Sequence, residues 1–377
     1  MRGGLRLLAL ASALLAGCGG TRPRPAPPAR VPAEAVHDGT EYLLATQNPD
    51  GSWGSCDPCH VDEIYLGTVA THDGFGQATS ALCAMALMQV PQDDPRVRTA
   101  LDRGLQCLAG KAPALRQTGD ALYNVWGNLY ALQCLSRASA DPRWPAERER
   151  FQAAARRQLE SLARFQSALG GWGYYDFTYQ TQRPSGEHAT SFTTAAALVA
   201  LDEARRAGLE VPERMTRSGV AFLATLRNGN GAYLYSTGHR FYPNNRASKI
   251  KGSLGRSQAG ECALSRFGKA GPAEATRGLE NFFTYHHFLD IGRQRQWPHE
   301  AWYATAGYYY FFGHYYAALN IAALPEAGRD RFAPRLTAVL LRTQEPDGSW
   351  WDFPMYGYSK AYGTALALLA LTTVNPS

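Results

Sequence analysis

From residue 36 to residue 377, apolar positions recur every three to four residues, the spacing of amphipathic helices, and turns rich in Gly or Pro interrupt them. Twelve helical stretches follow from this pattern, in two alternating sets. One set covers 36–46, 95–109, 146–168, 212–226, 272–290 and 330–343 and carries an apolar stripe on one side. The other covers 77–90, 123–138, 188–206, 258–268, 302–322 and 358–373 and is richer in Ala, Gly and aromatics. Apolar residues on every side predict helices enclosed by other helices. No single helix pair can bury its apolar face alone, so six pairs of about 60 residues each predict a closed ring of helical hairpins.

Four of the turns between sets share one pattern. They read Gln47-Asn-Pro-Asp-Gly-Ser-Trp53, Gln166-Ser-Ala-Leu-Gly-Gly-Trp172, Arg227-Asn-Gly-Asn-Gly-Ala-Tyr233 and Gln344-Glu-Pro-Asp-Gly-Ser-Trp350. Each follows an amphipathic stretch and precedes, after a loop of varying length, an Ala/Leu-rich one. The Gly supplies a left-handed conformation that stops the helix. The Trp is expected to fold back on the preceding helix, where Gln47, Gln166 or Gln344 reaches backbone groups.

These segments resemble the QW-type repeats of squalene and hopene cyclases and the related repeats of protein prenyltransferase β subunits. The resemblance covers most of residues 36–377 and is degenerate around 105–125 and 280–300. It implies an all-α (α/α)6 toroid, six helical hairpins with inner and outer layers around a central cavity. The chemistry of the group is not implied with it. The Asp-x-Asp-Asp acid of class II terpene cyclases does not occur; Asp93-Asp94, beside Pro95, reads as a turn and helix cap. Glu261-Cys262 is the nearest approach to the prenyltransferase zinc ligands, and the thioester Cys-x-Glu-Gln is absent.

Residues 1–17 read as a signal peptide: Arg2 and Arg6 precede an apolar run from Leu7 to Leu15 too short to span a bilayer. The run ends in Leu15-Ala-Gly-Cys18, which resembles the lipobox of bacterial lipoproteins and implies cleavage before Cys18 and lipid on its thiol. Residues 18–35 then form a spacer stiffened by Pro23, Pro25, Pro27, Pro28 and Pro32. The expectation is a body outside the cytoplasm, tethered to a membrane through Cys18. Gly19, in place of an Asp, favours the outer membrane where the cell has two. The formal charge of +6 is spread as scattered arginines with no dense basic block, which argues against nucleic acid as a partner.

Of the seven cysteines, Cys83, Cys107 and Cys134 sit among apolar helical neighbours as small core residues. Cys56-Asp-Pro-Cys59-His60 stands apart. A disulfide or a zinc site comes first there, with His60 and His72 as further ligands, and c-type haem ranks behind them. The cavity rim is expected on loops leading into the inner helices. Candidate acid–base residues are His72, Asp73, His188 and Glu261. Candidate ligand-binding residues are Arg256, Lys360 and the aromatic run from Trp302 and Tyr303 through Tyr309 and Tyr310 to His314. Rings on every face of that run predict a cavity wall suited to cation–π or apolar contact, although filling of a roomy ring and a satisfied core histidine explain the same residues. Three functions remain: a carrier for a hydrophobic small molecule, glycan or peptide, an enzyme outside the cytoplasm working through the rim residues, and a scaffold for a protein partner. The missing catalytic motifs rank the carrier first.

Overall fold

The computed structural model describes residues 30–59, 69–116, 123–173, 177–178, 183–184, 189–242 and 244–376. The signal peptide, Cys18 and most of its linker lie outside these residues. Helices α1 (Pro32–Ala45), α2 (Val69–Gln89), α3 (Pro95–Gly110), α4 (Asn124–Ala140), α5 (Arg148–Phe165) and α6 (Ser191–Arg206) make the first three hairpins. Next come α7 (Glu213–Leu226), α8 (Leu254–Arg266), α9 (Pro272–Thr284), the short α10 (His287–Gly292), α11 (Tyr309–Ala322), α12 (Glu326–Thr343) and α13 (Ser359–Val374). A two-stranded ribbon, Phe177–Thr178 with Arg183–Pro184, lies in the loop before α6.

Helices α2, α4, α6, α8, α11 and α13 form the inner layer, each packed on the next, and α13 closes on α2. The outer layer is α1, α3, α5, α7, α9 and α12. Their sequences explain the division. Outer α3 buries Val97, Ala100, Leu101, Gly104, Leu105 and Leu108 on one face, whereas inner α4 is buried almost all round. Proline at the first position and a side-chain or capping contact start several outer helices. Asp94 accepts the Arg96 backbone N–H at 2.8 Å before Pro95, and Glu274 accepts that of Gly271 at 2.9 Å before Pro272.

The repeated turns are the joints between hairpins. The indole N–H of Trp53, Trp172 or Trp350 donates to a carbonyl of its own outer helix, that of Leu43, Leu162 or Leu340, at 2.8 Å in each case. The backbone N–H of the same Trp donates to a hydroxyl on the following inner helix: Ser80, Thr194 or Thr364. The Gln amide donates across to the next outer helix, at Ala100, Met215 or Ala35. Each indole ring lies where a Cβ on that next helix would stand, 2.7 Å from it at Gly104, 2.9 Å at Gly219 and 2.7 Å at Gly39. The last joint is the closure of the ring, because Gln344 and Trp350 engage α1.

The third joint substitutes a different set. Arg227 replaces Gln, Tyr233 replaces Trp, and Glu261 on α8 pairs with Arg227 at 2.9 Å. Expected element boundaries differ most at two places, and α1 begins at Pro32, inside the segment expected as spacer. The first inner helix begins at Val69 rather than 77, and the aromatic inner helix begins at Tyr309 rather than 302. Tyr303 takes φ 63°, which helix geometry forbids, and the Asp352 carboxylate accepts the Phe311 N–H, fixing the start of α11 there.

Replacing Trp350 with Ala is expected to cost about 3–5 kcal/mol, since it empties the closing joint and removes the indole donor from the Leu340 carbonyl, which keeps only the Thr343 hydroxyl. Trp302→Ala, on an exposed ring, is expected to stay within about 0.5 kcal/mol of the parent. Urea unfolding of both variants checks the contrast.

Candidate functional site

A cavity of about 790 Å³, open mouth included, is bordered by five of the six inner helices, four of them at their first turn. Phe75 and Leu82 come from α2, Trp126 and Tyr130 from α4, Phe192 from α6, Tyr309 and Phe312 from α11, and Tyr362 and Leu366 from α13. Tyr123, Tyr308, Phe353 and Met355 complete the rim. The rings brace one another: Trp126 stacks on Phe192 at 5.7 Å, and Tyr309 and Phe312 meet Phe192 and Trp126 edge-on at 5.1 and 5.8 Å. Such offset and T-shaped packing keeps the wall stiff without filling the space.

Polar groups at the wall are few. Among the described lining residues none is charged; Thr79 and five tyrosines supply the only polar side chains. The Tyr309 hydroxyl is buried near Arg256 and Tyr308 with no close hydrogen bond to either, and that of Tyr362 donates to Asp352. Asp352 is fully buried behind the wall, and burial raises its carboxyl to about 7 despite bonds from Tyr362 and the Phe311 N–H. It is therefore a group that retains its proton near neutrality, one residue away from the lining.

The residues expected to act are dispersed. His72 sits on the first turn of α2 at the mouth, its ring 4.6 Å from that of Tyr356, and burial lowers its pKa below the usual imidazole value. Asp73 beside it is exposed. His188 and His60 lie outside the described residues. Glu261 faces the outer layer, not the cavity: burial raises its carboxyl while Arg227 opposes the shift. That is a structural pair at the third joint and corrects the acid–base expectation. Lys360 binds Asp347 of the last turn, so it too belongs to a joint.

Of the aromatic run, Tyr309 lines the cavity and four expected ligand contacts do not. Trp302 is 69% exposed, because its segment is a single 3-10 turn outside the helix. Tyr303 packs edge-on against Phe288, 4.9 Å away, with the Lys251 ammonium 5.3 Å from its ring. Tyr310 and His314 point from α11 into the outer layer. There His286 bridges Asp290 and His314 at 3.0 Å each, Tyr310 donates to Asp290, and His314 meets the Tyr310 carbonyl at 2.7 Å. Burial, with the neighbouring His286, pulls His314 down to about 3, so it is neutral, a satisfied core histidine. Arg256 lies one ring behind the wall, its guanidinium 5.4 Å from the Tyr309 ring.

At Cys56 and Cys59 the structure has exposed side chains not joined by a disulfide, and the Cys59 thiol contacts the Asp57 carbonyl at 3.6 Å. No three His, Cys, Asp or Glu among the described residues gather to hold a metal. The lining residues that sequence reasoning passed over, Phe75, Trp126 and Phe192, share one signal: an aromatic in the opening turns of an inner helix. Asp352 carries no such signal beyond following the Trp350-Trp351 pair.

Asp352 has a pH signature. Its folded pKa of about 7 exceeds the ordinary 3.8, so the folded chain holds a proton that the unfolded chain releases. Its contribution is fully present below about pH 4, falls as pH rises to about 7 and is then constant. Asp352→Asn is expected to lack that fall, so its urea midpoint relative to the parent should improve between about pH 4 and about pH 8. A difference independent of pH would rule out the buried, protonated carboxyl.

No family model matches the chain. A probable squalene–hopene cyclase of Sinorhizobium fredii is 28% identical over 214 residues, 53% of this chain and 30% of that protein. A terpene cyclase–glycosyl transferase fusion protein of Humicola fuscoatra is 30% identical over 190 residues, 46% of this chain and 14% of that protein. The chain thus spans less than a third of the length of the curated relatives it matches. Among solved structures, the type II terpene cyclase MstE from Scytonema superposes with a TM-score of 0.52 at 14% identity, covering 92% of this chain and 98% of that one. A Salegentibacter α-1,6-mannanase reaches 0.61 at 10% identity over 91% and 100%, and the cellobiose 2-epimerase of Spirochaeta thermophila 0.56 at 14% over 91% and 96%. On its repeats, its closed double ring of helices and these relatives, the chain is a terpenoid cyclase-like α/α toroid.

Proposed function

We propose that this toroid is a carrier that holds an apolar, isoprenoid-like ligand in its aromatic cavity, and that the body is exported and held to a membrane by lipid on Cys18. The observation that carries the reading is the wall itself: ten aromatic side chains and no charged group among its described lining residues. Apolar burial supplies about 25 cal/mol per Å² removed from water, so such a wall favours a hydrocarbon chain over a glycan. A glycoside hydrolase needs two carboxyl groups flanking the bond it breaks, and the described lining has none. The names of the cyclase relatives agree with an isoprenoid ligand. No described helix is long and apolar enough to cross a membrane, which leaves anchoring to the lipid.

One observation favours a second reading, an enzyme. Asp352 keeps a proton near neutrality and touches the cavity through Tyr362. A protonated carboxyl behind a phenol is a general acid in waiting.

Displacement of the apolar fluorophore N-phenyl-1-naphthylamine by farnesol tests both. Farnesol is expected to compete, and Ala78→Trp, which fills the cavity from α2, to weaken it at least about tenfold, about 1.4 kcal/mol. An unmoved fluorophore, or equal binding by the filled variant, would overturn the carrier. Mass spectrometry of the recovered farnesol decides the second reading, since a carrier returns it unchanged. In cells, Cys18→Ser is expected to move the protein from the membrane fraction to the soluble one; persistence in the membrane would reject the lipid anchor.

A further inference from the structure

Three half-buried arginines among the described residues sit against carboxylates. Arg137 pairs with Glu203 at 2.7 Å, Arg227 with Glu261 at 2.9 Å, and Arg266 with Asp202 and Glu203 at 3.3 and 3.2 Å. Arg256, on the first turn of α8, is 1% exposed and has none among the described residues. Of the five N–H groups a guanidinium offers, one set is used: Nη2 donates to the Ala247 carbonyl, while Nε and Nη1 have no hydrogen-bond partner. The faces of Tyr235 and Tyr309 lie 5.4 Å from its carbon. Cation–π contacts of this kind contribute about 0.5–2 kcal/mol each. Withdrawing an ion from water costs several kcal/mol, and unpaired burial is the expensive case. The positive charge is therefore under-compensated.

Its surroundings lead to the cavity. Tyr309 joins the two: its ring is cavity wall, and its buried hydroxyl sits between the Arg256 guanidinium and Tyr308 without a close hydrogen bond to either. His239 and His299 are the other titratable groups at this corner. Burial first, and the Arg256 charge as well, lower both, so they add no second cation. The N-terminal turns of α4, α6, α11 and α13 border the same space, with partial positive charge that favours an anion. In this dry setting a cation acts strongly across the thickness of one ring.

We infer that the cavity selects an amphiphile with an anionic head group, a carboxylate or a phosphate monoester, whose head lies at Tyr309 and Arg256 and whose apolar tail lies along the aromatic wall. This rests on the carrier reading above and names its ligand class. The head group supplies the negative charge that Arg256 lacks, and the Tyr309 hydroxyl donates to it.

Three probes with one tail separate the possibilities: farnesol, farnesoic acid and farnesyl monophosphate, each titrated against the wild-type protein by displacement of N-phenyl-1-naphthylamine. At least one anion is expected to bind about tenfold or more tightly than farnesol, and the better of the two identifies the head. In Arg256→Met, with folding verified by circular dichroism, the ratio of anion to alcohol affinity is expected to fall to about one, and Arg256→Lys to restore part of it. Should Arg256→Met not fold, Tyr309→Phe reads the same ratio, which is expected to drop severalfold. Equal affinity of wild type for all three probes overturns the head-group inference and leaves the carrier standing. So does a ratio unchanged by the substitutions. Failure of all three probes to bind defeats the carrier reading itself.

Discussion

One contact recurs at three joints of the ring, its closure among them: a tryptophan indole that donates to its own outer helix while its ring presses on a glycine of the next. The glycines at 39, 104 and 219 exist for this approach, since a Cβ at any of them would stand within 3 Å of the ring. Because the same Trp also ties its backbone N–H to the following inner helix, three helices meet at one side chain. The joint therefore sets both the spacing of outer helices and the height at which each inner helix begins. At the third joint a change of both principal residues is absorbed by charge. Arg227 and Tyr233 need an acid where the other joints need none, and Glu261 supplies it. The cost of burying that carboxylate explains why it comes paired.

Equal starting heights have a chemical consequence. The N-terminal turns of α4, α6, α11 and α13 border one mouth, and residues of these turns, with Phe75 to Leu82 of α2, become the wall. Those residues are rings rather than acids, so the space is apolar. Asp352 conforms to that environment by keeping its proton and serving as an acceptor for the start of α11 and for Tyr362. Arg256 cannot discharge in the same way, because a guanidinium does not lose its proton in a protein. The two groups, both set behind the wall near the start of α11, respond to the same low dielectric with opposite outcomes.

Helix α11 shows how a uniformly aromatic segment is divided by its neighbours. Tyr309 and Phe312 lie on the face toward the cavity, while Tyr310 and His314 lie on the face toward α9 and α10. The inward pair makes the binding wall. The outward pair joins His286 and Asp290 in a hydrogen-bonded chain that ties α11 to the outer layer. Asp290, at the exposed end of that chain, is brought down to about 2 by the hydrogen bonds from His286 and Tyr310, which outweigh its partial desolvation.

The periodicity and the Gln-to-Trp turns determined the all-α double ring by themselves, because helix stop signals, apolar stripes and glycine spacing are local or repeated properties. The cap at Asp94 and the Trp-to-helix contacts were legible for the same reason. The cavity was not. Whether Phe75, Trp126 or Phe192 faces the centre depends on helix rotation within a few tens of degrees, and for helices apolar on every side no stripe records that angle. The pairing of Glu261 with Arg227, of Lys360 with Asp347, and of His314 with His286 joins residues 13 to 34 positions apart across different elements. Only the closed ring brings them together, and only the closed ring leaves Arg256 without an acid, since the charge that a side chain meets in a buried place is decided by its neighbours in space.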